Sequence, residues 1–270
     1  MSEIYLVFVV FLFVLAVFDL MVGVSNDAVN FLNSAIGAKV AKFRTIIIVA
    51  AVGVFMGATM SNGMMEVARN GVFHPAMFSL KELMFIFLAV MISDVILLDI
   101  FNNLGLPTST TVSLVFELLG GTTAFVLLKL ANDTTGLTVG DLMNTEKALG
   151  MIMAIFVSVA IAFFFGIVLQ YISRLVFTFT YKKNLKWKIG IFGGVATTAI
   201  FYFMLFKGIK SMSFVTPEIY EYIQNHTLAI LGICFLASTA IMQFLYFLKV
   251  NVFKILVLMG TFALAMAFAG

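Results

Sequence analysis

The chain has 270 residues, 63% of them hydrophobic and 11% charged, with a mean hydropathy of +1.14 and a net charge of +3. That composition excludes a soluble globular protein, which needs far more polar surface. The lone Cys234 excludes an intramolecular disulfide and is expected as a buried small hydrophobe in its apolar run.

Apolar stretches near the ~20 residues needed to cross a bilayer recur at 4–24, 45–65, 82–103, 110–130, 149–172, 189–206, 227–248 and 252–270. The first is too long, and too polar at its end, for a cleaved signal peptide, so a retained helix is expected. It runs into Gly23-Val24-Ser25-Asn26-Asp27-Ala28-Val29-Asn30, which is expected to break the helix. In the second segment, Gly53 and Gly57 at a four-residue spacing predict close helix packing. Gly105-Leu106-Pro107-Thr108-Ser109-Thr110-Thr111 separates the third and fourth segments. Residues 131–146 and 211–226 read as polar external loops. Nothing between the segments is large enough to fold alone, so one membrane domain is expected over 1–270.

With the N-terminus outside, the inside loops carry Lys39, Lys42, Arg44, Arg174, Lys182, Lys183, Lys186, Lys188, Lys249 and Lys254, ten basic residues without an acid. Lys and Arg enrichment on cytoplasmic loops sets orientation. The chain is therefore expected to be a multi-pass protein of the cell (plasma or inner) membrane with an outside N-terminus. Tyr181 and Trp187 suit an interfacial belt. The 182–188 cluster reads as part of this charge bias, not as a nucleic-acid site.

Asp19, Asp27, Glu66, Asp94, Asp99 and Glu117 lie in or at the edge of apolar runs. A charge at the centre of a membrane helix costs about 2.5–3.5 kcal/mol, so these acids need a polar interior, protons or partners. Arg69 lies three residues beyond Glu66 and can pair with it. Asp27 stands apart, surrounded by Ser25, Asn26 and Asn30. For Asp94, Asp99 and Glu117, structural and ligand roles both stay open.

Pro107 disfavours helical geometry in the residue before it. Thr108 or Ser109 is expected to cap the next helix, whose free N–H groups lie around Ser109, Thr110 and Thr111. Hydroxyls, amides and the positive dipole end together form a cradle for an oxyanion. An acid at Asp27 close by repels that anion unless sodium or a proton neutralises it. Ser25, Asn26 and Asn30 could then complete an oxygen shell around sodium. No other metal site is expected, and His74 and His226 read as solvated or capping residues.

These two motifs resemble the signatures of the inorganic phosphate transporter (PiT) family. Gly23 to Asn30, followed by Ser34-Ala35-Ile36-Gly37, is similar to its G-x-N-D-x-A-N motif, with one extra residue before Asn26 and Val29 replacing an alanine. Gly105 to Thr111 resembles its G-L-P-x-S-[ST]-[ST]-H hairpin tip, with Val112 where the family has histidine. The resemblance implies an all-α membrane protein of about eight transmembrane segments, with a broken helix and a helical hairpin in the first of two inverted repeats. The first repeat is expected at 4–130, connecting helices and loops at 131–251, and the start of a second repeat at 252–270. The implied function is a cation-coupled (Na+ or H+) phosphate symporter. Asn26, Asp27, Asn30, Ser109, Thr110 and Thr111 would bind phosphate, and Ser25, Asp27 and Asn30 the cation.

The family carries its Asn-Asp signature twice, and this chain carries it once. Segment 1 runs inward and segment 8 outward, as inverted repeats require. The expectation is an N-terminal part of a longer transporter, completed by a missing second repeat or a homo-oligomer. Phosphate and the coupling ion are its cargo, and no cofactor is expected. The competing readings are a transporter of another oxyanion such as sulfate, or a non-transporting structural or channel protein. An enzyme is not expected: Asp19 and Asp27 stand about 80° apart around a helix, a poor catalytic pair.

Overall fold

A computed structural model describes residues 3–60, 71–132, 136–178, 181–204 and 216–269. These residues form helices α1 (Glu3–Gly37), α2 (Phe43–Met60), α3 (Leu80–Asn103), α4 (Thr110–Ala131), α5 (Val139–Leu142), α6 (Thr145–Phe177), α7 (Tyr181–Phe203), α8 (Pro217–Asn225), α9 (Thr227–Phe247) and α10 (Val252–Ala269). Among them, six helices are long and apolar enough to cross a membrane, while Phe43–Thr59 and Lys188–Phe203 are apolar but shorter. The helices follow the expected apolar runs closely. Helix length alone therefore supports six crossings where eight are expected.

The stretch Gly23 to Asn30 does not break the first helix, because α1 runs without interruption from Glu3 to Gly37. Its polar side chains sit in a stretch without proline, so every backbone N–H there can still join the helix ladder. The expected pairing of Glu66 with Arg69 lies outside the described residues, as do the side chains of Tyr181 and Trp187.

The chain divides into two compact units: Met1–Val29 with Gly63–Ala160, and Asn30–Asn62 with Ile161–Gly270. In the first, α3 and α4 form an antiparallel hairpin. Ile86 and Val90 of α3 and Leu118 and Val126 of α4 are buried with Val72, Phe73, Phe78, Leu142 and Met143. Ser79 starts α3 with a capping box: its hydroxyl accepts from the Glu82 N–H (3.3 Å), and its own N–H donates to Glu82 Oε2 (2.6 Å). Lys129, in the last turn of α4, pairs with Glu82 at 3.0 Å and sits 5.0 Å from the Phe78 ring centre. This contact fastens the hairpin at the end away from its tip. Beyond α4, Asp141 accepts from the Thr138 hydroxyl (2.7 Å) and N–H (2.8 Å), which hold its carboxyl below the usual carboxylate range.

In the second unit, α2 packs on α10 and α7 on α9. Gly53 lies where an added Cβ would stand 2.6 Å from the Phe262 carbonyl and 2.9 Å from Ala265 Cβ, and Gly57 meets Met266 as closely. The expected small-residue contact is thus between α2 and α10. A Gly53→Val substitution is expected to destabilise the protein by roughly 1–3 kcal/mol through overpacking, read as a lower thermal midpoint in detergent. An unchanged midpoint would show that α10 can shift away freely. His226, between α8 and α9, caps α8, and its Nδ1 lies 2.9 Å from the Tyr222 carbonyl. Cys234 is half-buried, not buried as expected.

Candidate binding site at the hairpin tip

The helix stop at the tip follows from local chemistry. After Asn103, Gly105 adopts φ +67°, a left-handed conformation that glycine takes at little cost. The Gly105 N–H donates to the Asn102 carbonyl and the Leu106 N–H to the Phe101 carbonyl, which closes α3. Pro107 then keeps the chain extended. Ser109 is the cap of α4, as expected, with its hydroxyl accepting from the Val112 N–H at 3.4 Å. The first intrahelical bond of α4 runs from the Ser113 N–H to the Ser109 carbonyl. The N–H groups of Thr110 and Thr111 precede it and have no acceptor within the helix.

Asp27 faces this tip. It is 7% exposed, and its Oδ2 accepts from the Thr110 hydroxyl at 3.0 Å. Its second oxygen, Oδ1, is buried with no hydrogen-bond partner among the described residues. A buried carboxylate oxygen without a donor is costly, and it is a hard oxygen of the kind that sodium or a proton takes. Asn26, 3% exposed, holds the tip in place: its Oδ1 accepts from the Thr108 N–H at 2.9 Å. Its amide nitrogen donates to Asn102 Oδ1 at 2.8 Å, and Asn102 Nδ2 donates to the Val22 carbonyl at 3.1 Å.

Asn26, Asp27 and Thr110 are thus brought together, with Ser109 at the same tip. Ser109 and Thr111 are exposed, and so is Ser25 on α1. Neither Ser25 nor Thr111 takes part in the bonds around Asp27 and Asn26. Asn30 is exposed and falls in the second unit. Two groups at the tip already have protein partners. The Thr110 hydroxyl is already engaged by Asp27, and the Thr108 N–H by Asn26. Asn102 was not anticipated as a site residue. Its signal is an amide pair, Asn102-Asn103, at the end of an apolar run just before Gly105.

A second polar group lies deeper along the same helices. Asp94, 5% exposed, accepts from the Ser113 hydroxyl at 2.9 Å, and Glu117 lies 3.0 Å from that hydroxyl. One hydroxyl hydrogen serves one of these acceptors at a time. Asp19 is a close neighbour of Asp94, and its buried Oδ1 has no hydrogen-bond partner among the described residues. Among the described residues no basic side chain forms an ion pair with these three acids. Asp99 is different: it is exposed and accepts from Asn103 Nδ2 one turn on, at 3.1 Å.

Residues 23–269 match the phosphate transporter family. No curated protein sequence gives a significant match. A solved structure of the sodium-dependent phosphate transporter superposes with a TM-score of 0.62 at 20% identity, over 91% of this chain and 60% of that one. At that identity the likeness shows a shared fold. The chain spans about 60% of the length of that transporter.

Proposed function

The chain belongs to the phosphate transporter family, and from that premise we propose that it takes part in cation-coupled symport of inorganic phosphate across the cell membrane. The proposed topology keeps eight crossings, an outside N-terminus and 4–130 as the first of two inverted repeats. Phosphate is held at the hairpin tip by the hydroxyls and free N–H groups of Ser109, Thr110 and Thr111. The coupling cation sits on Asp27, with Ser25 and Asn26 as further oxygen donors.

The observation that carries this reading is the state of Asp27, bonded to the tip through one oxygen and unpartnered at the other. A carboxylate at the tip competes with phosphate for the Thr110 hydroxyl. It also repels a phosphate anion by about 3 kcal/mol at roughly 5 Å with an effective dielectric of 20. A cation on Asp27 removes the repulsion and weakens its hold on Thr110, so each ligand favours the other.

Sodium is the first candidate, because the bare oxygen and the neighbouring amide and hydroxyl oxygens suit a hard cation. Protons are the alternative, and the grouping of Asp94 and Glu117 on the Ser113 hydroxyl, with Asp19 beside Asp94, favours them. The test is uptake of labelled phosphate into proteoliposomes under a sodium gradient, a proton gradient or neither. Saturable uptake driven by one gradient, and not displaced by excess sulfate, is expected. Equal competition by sulfate would assign another oxyanion, and non-saturable flux would assign a channel.

A further inference from the structure

A cleft of about 1070 Å³ opens in the second unit, where the 38–42 turn, the end of α6, the start of α7 and the α9–α10 turn converge. Lys39, Lys186, Lys249 and Lys254 line it, together with an apolar wall that includes Val250 and Phe253. The stretches that build this unit, 30–62 and 161–270, contain only two acids, Glu218 and Glu221. Both precede α9, whereas Lys249 follows it; at about 1.5 Å per residue, that helix separates them by roughly 30 Å. Four lysines therefore line one cleft to which the second unit itself brings no nearby carboxylate.

Backbone conformation adds a second observation. Among the described residues, three that are not glycine have left-handed φ: Lys39 (49°), Thr178 (52°) and Lys249 (60°). All three line this cleft. The Lys39 and Lys249 N–H groups close the ends of α1 and α9 on the Ile36 and Tyr246 carbonyls, so two helix-end positions where glycine or asparagine is easier carry lysines that line the same cleft.

We propose that this cleft binds an anionic glycerophospholipid, with its phosphodiester among Lys39, Lys249 and Lys254 and its acyl chains along Val250 and Phe253. The charge selects an anion, and the apolar wall beside it selects one that carries hydrocarbon. Helix ends with lysines beside apolar surface are where a bilayer presents both parts at once. The cleft is built from the second unit, and Asp27 and the hairpin tip belong to the first; lipid binding is expected whether or not the tip binds phosphate.

The test is native mass spectrometry of the whole chain in detergent, titrated with phosphatidylglycerol or with phosphatidylcholine of the same acyl composition. Phosphatidylglycerol is expected to bind at least about tenfold tighter, with roughly fivefold lost for each lysine neutralised. The Lys39→Gln/Lys249→Gln/Lys254→Gln variant should lose the preference, and raised salt should erase it in the unmodified chain, where folding is not in question. Equal binding of the two lipids, or a preference untouched by salt, would overturn the proposal. Displacement of the lipid by an equal concentration of glycerol phosphate would also overturn it, since a soluble anion would then suffice.

Discussion

Replacing Asp27 with asparagine is expected to remove cation-dependent phosphate uptake while leaving the protein folded. Asparagine has nearly the same shape, and its carbonyl oxygen can still accept from the Thr110 hydroxyl, as Asp27 does at 3.0 Å. What it lacks is the charge that attracts sodium or holds a proton. A coupling of 1–3 kcal/mol between two ligands corresponds to a 5- to 150-fold change in affinity, so uptake under a cation gradient should fall by up to about 150-fold. The sign for phosphate without cations is opposite. Removing a carboxylate from beside an anion site relieves repulsion, so residual phosphate binding should be equal or tighter. Wild-type uptake by Asp27→Asn, still accelerated by the gradient, would place the coupling elsewhere, with the Asp19, Asp94 and Glu117 group next in line.

Asn102→Leu is expected to have the second largest effect, through geometry instead of charge. Asn102 accepts from Asn26 and donates to the Val22 carbonyl, and Asn26 accepts from the Thr108 N–H. Leucine would leave the buried Asn26 amide nitrogen without its acceptor, at about 1–3 kcal/mol. It would also free the tip to shift relative to α1. Phosphate affinity should fall at least about tenfold, because a donor cradle misplaced by an ångström loses much of its effect. Asn102→Asp should recover part of it, since a carboxylate can still accept from Asn26. If Asn102→Leu binds phosphate as wild type does, the tip is positioned by its own cap at Ser109, and the amide bridge is dispensable.

Most of the helical pattern is legible in the sequence because membrane helices are written in long apolar runs. The hairpin is the clearest case. Gly105, Pro107 and Ser109 each have a local reason for their place, and α3 and α4 end and begin around them. Gly53 and Gly57 signal a close neighbour, though nothing in their own segment identifies it as α10. The polar stretch around Asp27 misleads for the same reason. Local reading assigns a helix break wherever amides and acids gather. Here, their partners arrive from 76 to 83 residues away, at Asn102, Thr108 and Thr110, and the helix continues. Asn102 itself is invisible as a site residue until Asn26 is seen facing it. Ser113 is likewise unremarkable in sequence, yet it stands between Asp94 and Glu117.

The central claim is that Asp27 and the hairpin tip bind cation and phosphate interdependently. Equilibrium phosphate binding to the purified chain tests it most directly, measured in sodium, in choline, and across a pH step. Phosphate affinity should rise about 5- to 150-fold with the coupling cation, that cation's affinity should rise by the same factor with phosphate, and Asp27→Asn should abolish both changes. Phosphate affinity that is equal in sodium, in choline and at both pH values would contradict the account.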